Sequence, residues 1–200
     1  ALELAIDAAS ASYWLDHRCA KAKVLLVDTE NMPAFVNERL NAILKAKGIP
    51  SGEIDGSLDF VFLRNTVSPS LDDVFAAARE RDYDLVIVDS IFRLASVRAR
   101  ASESQTLSDI LDLMCRQAEA GRCAFALFQN IYLKKLDFET AFERENTTLP
   151  HCDANLVIRE VEGADSLVMK AKTKSFAQPE PRILGFEWPL WKTRDSMRSN

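Results

Sequence analysis

Four short apolar runs, each separated from the next by a helix-length segment, constrain what this chain can fold into. They are Lys23–Asp28 (KVLLVD), Asp59–Leu63 (DFVFL), Asp84–Asp89 (DLVIVD) and Cys123–Gln129 (CAFALFQ). Continuous apolar runs of this length suit strands buried on both faces, the pattern of a parallel sheet covered by helices. The segments between them carry helix signals. Pro33 opens one helix at a favourable first-turn position, and Gly48 and Pro50 stop it after Lys47. Ser70 caps the next, from Leu71 to about Arg81, with Asp72 and Asp73 where the helix dipole favours negative charge. An amphipathic stretch from about Ser104 to Ala120 ends at Gly121, and the Ala/Leu-rich start, Ala1 to Ser12, reads as the end of a helix.

Past the fourth run the pattern changes. Residues 131–150 are polar and read as a loop with a short helix around Asp137 to Arg144. Ala154–Glu160, Leu167–Thr173 and Ile183–Trp188 then read as three strands without intervening helices, with a hairpin corner at Gly163-Ala164-Asp165. The predicted fold is therefore α/β: a mostly parallel central sheet in three α/β/α layers, extended by antiparallel C-terminal strands, all in one domain over residues 1–200.

Composition removes several classes of function. With 48% apolar and 28% charged residues the chain is globular in usage. No apolar run approaches the roughly 20 residues of a membrane-crossing helix, and no signal-peptide pattern opens the chain. Cys19, Cys115, Cys123 and Cys152 form no C-x-x-C pair, which suits free thiols rather than zinc. These features predict a cytoplasmic protein with no membrane partner. A net charge of −5 argues against a basic footprint over the whole surface, although a local basic loop remains open. His17 and His151 are isolated and read as surface or loop residues, and Trp188 and Trp191 as packing residues at the end of the last strand.

In an open parallel sheet, ligands bind outside the carboxyl ends of the strands. Three polar residues fall there: Glu30 just after KVLLVD, Asp89 at the end of DLVIVD, and Gln129 at the end of the fourth run. An acid in that position suits Mg²⁺, often through a bound water. A second carboxylate nearby could accept a proton from an attacking water. A neutral amide could sense a terminal phosphate. Acids commonly cap the helix after a strand, so any one alone is more often structural than catalytic, and the set of three on successive strands carries the signal.

The order of these elements resembles that of the RecA-like ATPases, and most of all the RepA branch of plasmid and phage replication ATPases, related to DnaB-type helicases and KaiC. ALELAIDAASASYWLDHRCAKAKVLLVDTEN is similar to the stretch that follows the phosphate-binding loop there, with Ala1–Ala11 as the alanine-rich helix and Trp14-Leu15 as the turn after it. The resemblance implies Glu30 as the catalytic glutamate, Asp89 in DLVIVDS as the magnesium-side acid and Gln129 in LFQN as the phosphate sensor. MKAKTKSFAQPEPRILGFEWPLW resembles the closing hairpin and final strand. Lys174 then stands where the family carries a finger reaching the neighbouring subunit's nucleotide, with Lys172 beside it. Lysine is a point charge and lacks the bidentate fork of arginine. The motif G-x-x-x-x-G-K-[ST] does not occur in these residues, and the resemblance places it upstream of Ala1.

Taken together, the expectation is an ATP- and Mg²⁺-dependent enzyme, a ring-type homo-oligomer, possibly a hexamer, acting on DNA that is expected to be single-stranded. Arg93, Arg98 and Arg100 form one basic cluster that could meet a nucleic acid, and Lys134 and Lys135 beside Tyr132 form another. Two alternatives stay open: a RecA-like regulatory or assembly module without catalysis, and a DNA-binding accessory protein that uses only the arginine loop.

Overall fold

The computed structural model of the protein describes residues 1–66, 70–91, 94, 103–121, 123–129, 152–160, 166–174 and 177–194. The chain divides into two compact units, Ala1–Ile131 and Tyr132–Asn200.

The first unit opens with helix α1 (Leu2–Ser10) and a small hairpin of β1 (Tyr13–Trp14) and β2 (His17–Arg18). Then come β3 (Val24–Asp28), α2 (Pro33–Lys47), β4 (Leu58–Phe62), α3 (Leu71–Glu80), β5 (Leu85–Asp89), α4 (Glu103–Gly121) and β6 (Ala124–Phe128). Local chemistry explains the boundaries. Ala11 ends α1 in the left-handed conformation, and its N–H caps Asp7 O. Gly48, with φ 66°, ends α2 in the same way, and there glycine meets the backbone demand without strain. Ser70 and Asp73 form a reciprocal capping box at the start of α3.

The four apolar runs pair as one parallel sheet in the order β4-β3-β5-β6. β3, an inner strand of this sheet, is buried at every position. One face of the sheet presents Leu25, Val27, Val86 and Val88 to Leu71, Val74 and Phe75 of α3 and to Ile110 and Met114 of α4. On the other side α1 packs against β3 and α2. The result is the three-layer α/β/α arrangement that the sequence pattern predicts.

The strand order has a consequence for ligand binding. From β3 the chain runs outward through α2 to β4, then crosses back past β3 to β5 and outward again through α4 to β6. The loops leaving β3 and β5 therefore diverge, and a crevice opens between them at their carboxyl ends, the switch point of an open α/β sheet.

The second unit holds a four-stranded antiparallel sheet of β7 (Ala154–Glu160), β8 (Leu167–Thr173), β9 (Arg182–Glu187) and β10 (Leu190–Arg194), in the order β10-β9-β8-β7. The three predicted strands are present. A fourth, β10, returns from β9 across Trp188-Pro189 and pairs with it over Leu190–Arg194. Trp188 does not serve as the packing residue expected of it. It is 63% exposed at that turn, with an edge contact to the Phe186 ring. Trp191 does pack, tilted on Phe186 at 4.8 Å between ring centroids.

Among the described residues no helix is long and apolar enough to cross a membrane.

Candidate functional site

The candidate site is built from the last residues of β3 and β5 and the loops that follow. The two strands run parallel in a register that sets Asp28 directly beside Asp89. β6 lies on the other side of β5, with Phe128 beside Asp89, so Gln129 is the next residue out along the same rim and is exposed. Glu30, Asp89 and Gln129 thus fall at one rim of one sheet, as their positions after the apolar runs predict.

The rim is held by hydrogen bonds between residues far apart in sequence. Asp28 is 3% exposed and turns its carboxylate back on its own loop. Its Oδ1 accepts the N–H groups of Glu30 and Asn31 at 2.9 and 2.7 Å, and Oδ2 accepts the Asn31 side-chain amide at 2.9 Å. Asp28 therefore shapes the turn, which frees the residues after it to face the ligand side. The Thr29 N–H donates to Asp89 O, extending the β3–β5 ladder by one rung. The buried Thr29 hydroxyl donates to Ser90 O at 2.9 Å and accepts the Ser90 N–H at 3.0 Å. The Ser90 hydroxyl in turn donates to Glu30 Oε1. The Ile91 N–H donates to Phe128 O, so β6 is tied to the same loop. A cis peptide joins Asp89 to Ser90.

A small cleft opens beside this rim. It is lined by Ala1 and Leu2 at the amino end of α1, by Asp28, Asn31 and Asp89, and by Phe35, Val36 and Arg39 of α2. Free amides at a helix amino end favour anions. On the opposite wall the electrostatics are acidic. Burial holds the Asp89 carboxyl above the usual carboxylate range, and the charges of Asp28 and Glu30 raise it further. One cleft therefore joins anion-binding amides to a carboxylate crowded by two others.

The donors present fit a hard divalent cation of the Mg²⁺ type. Asp28 accepts three N–H donors, and Asp89 lies beside it at the end of the neighbouring strand. Among the described residues no three His, Cys, Asp or Glu side chains are grouped to cage a metal.

Of the other predicted site residues, Lys172 lies in β8 and Lys174 just after it; both are exposed, in the second unit. The Lys174 N–H donates to Asp153 O. Arg93, Arg98, Arg100, Tyr132, Lys134 and Lys135 fall outside the described residues, as do the hairpin corner at residues 163–165 and the helix expected near Asp137–Arg144. Sequence reasoning missed Asp28, Thr29 and Ser90. Asp28 and Thr29 sit in the very run that flagged Glu30, and Ser90 follows Asp89, but only the pairing of β3 with β5 shows that they act together.

A family model described as an AAA domain matches residues 1–128, and the chain belongs to that family. Its fold is RecA-like. Among solved structures it is similar to one entitled "Crystal structure of the RadB recombinase", with a TM-score of 0.62 over 87% of this chain and 80% of that one, at 18% identity. No curated protein matches it.

Proposed function

We propose that the protein is a RepA-like ATPase that acts on DNA as a ring-type oligomer, with ATP and Mg²⁺ bound at the β3–β5 rim. One observation carries this reading. Asp28 and Asp89 lie side by side at the carboxyl ends of adjacent parallel strands, at the sheet's switch point, and Glu30 is held across the same gap by Ser90. Membership of the AAA-domain family and the recombinase-like fold agree with it.

In this reading Asp89 would hold Mg²⁺, which would supply charge neutralisation to the triphosphate. Glu30 orients the attacking water and takes its proton. The Ser90 hydroxyl fixes one Glu30 oxygen, which leaves the other to face the water. Gln129 contacts the terminal phosphate and passes its state to the loop beyond β6. Lys174, with Lys172, reaches the nucleotide of a neighbouring copy, which makes assembly part of the site. Arg93, Arg98 and Arg100, with Lys134 and Lys135, meet the phosphodiester backbone of single-stranded DNA. A G-x-x-x-x-G-K-[ST] phosphate cradle is what this reading requires to complete the site.

The test is hydrolysis of Mg-ATP by the full-length protein. Glu30→Gln is expected to lower kcat by at least about a hundredfold, on the scale of losing a general base, with nucleotide binding retained. Unchanged hydrolysis in that variant overturns the assignment.

A further inference from the structure

Lys47, the last residue of α2, makes contacts that the proposed chemistry does not use. Its ammonium donates to Asp7 Oδ2 at 2.8 Å and to Tyr13 O at 3.0 Å, and it pairs with Glu3 Oε1 at 3.0 Å. All three of its N–H donors are thereby committed. The side chains involved are nearly out of water: Lys47 is 12% exposed, Glu3 8% and Asp7 0%. Burial raises the Asp7 carboxyl to about 6 despite its bond to Lys47.

Two carboxylates and one ammonium form a poor stabilising device when buried. Desolvating three charges costs more than well-packed apolar side chains would. What the cluster does supply is position. Glu3 lies in the first turn of α1, Asp7 one turn on, and Tyr13 in the strand after the helix. One cation therefore grips α1 at two successive turns and the chain that leaves it. The same first turn, through Ala1 and Leu2, walls the cleft opposite Asp28 and Asp89. A shift of α1 along its axis would move its amino-end amides relative to those acids.

We propose that Lys47 is a positioning residue that fixes the axial placement of α1, and with it the anion-binding wall of the β3–β5 cleft. The proposal rests on the nucleotide reading of that cleft. Its test uses the full-length protein, with Mg-ATP as the probe and three measurements: Mg-ATP affinity, Tm, and hydrogen exchange of the Leu2–Ile6 amides. Lys47→Met is expected to weaken Mg-ATP binding at least tenfold and to speed exchange in α1 while β5 stays protected. A compensated variant, Lys47→Met with Glu3→Gln and Asp7→Asn, replaces both carboxylates with neutral amides and is expected to recover most of the Tm but not the affinity. Recovery of both in the compensated variant reduces Lys47 to a structural role and overturns the proposal, as does normal affinity in Lys47→Met alone. A wild-type protein that binds no Mg-ATP overturns the nucleotide reading itself, and the role of Lys47 falls with it.

Discussion

Thr29→Val tests whether the two strand ends are held together by the Thr29–Ser90 exchange. Valine matches threonine in shape but can neither accept the Ser90 N–H nor donate to the Ser90 carbonyl. Thr29 is 0% exposed and Ser90 1%, so water does not replace the lost partner. A buried polar group left without its hydrogen bond costs about 1–3 kcal/mol. With two such groups stranded, and some relief because the threonine hydroxyl no longer needs solvating, the expected loss is about 2–4 kcal/mol. That is a large share of the roughly 5–15 kcal/mol that holds a typical domain folded. Thr29→Ser keeps the hydroxyl and gives up one methyl, a loss of about 1 kcal/mol. Urea unfolding of the three proteins, read by circular dichroism, gives these differences directly. If Thr29→Val is as stable as Thr29→Ser to within about 0.5 kcal/mol, the exchange contributes little and the rim is held by the strand ladder alone.

Other consequences follow from single residues. Ala11 caps α1 at φ 56°, a conformation that glycine adopts without strain; Ala11→Gly is expected to raise stability by about 1 kcal/mol, visible as an increase in Tm. Asp7 titrates near pH 6 in the folded protein and near 3.8 when unfolded, so the folded state holds the extra proton between those values. Its contribution is complete below about pH 4 and is lost as the pH rises through 6, by roughly 2–3 kcal/mol. Glu3, Lys47 and Cys19 face it. Measured against Asp7→Asn, the wild type should therefore gain relative stability from pH 7 to pH 4, and a difference that does not change with pH contradicts the placement of Asp7. Ser90→Ala is expected to lower kcat for ATP hydrolysis about tenfold with KM little changed, because one oxygen of Glu30 loses its anchor. An equal rise in KM would instead place Ser90 in nucleotide binding.

The parts of this architecture legible in the sequence are those fixed by local pattern. KVLLVD and DLVIVD read as doubly buried strands because no polar residue interrupts them, and Pro33, Gly48 and Ser70 mark helix ends through backbone chemistry that acts within a few residues. The rim position of Glu30, Asp89 and Gln129 followed from that pattern and a general rule of α/β sheets. What was not legible depends on partners 40 to 61 residues away: Lys47 with Asp7, and Thr29 with Ser90. The β1–β2 hairpin escaped for a different reason. Its turn places Leu15 and Asp16 at φ 48° and 67°, where Asn-Gly is the usual signal. β10 was hidden by Pro189, which reads as a strand stop and instead forms part of a tight return.

The central claim is that Asp89 and the amino end of α1 face one another across a site for a magnesium-bound triphosphate. Calorimetric titration of the full-length protein with ATP, in the presence and absence of Mg²⁺, tests it most directly when repeated on Asp89→Asn. The account predicts that Mg²⁺ strengthens ATP binding to the wild type at least tenfold and does little for the variant. Equal enhancement by Mg²⁺ in both proteins would place the ion, and the nucleotide with it, somewhere other than the β3–β5 rim.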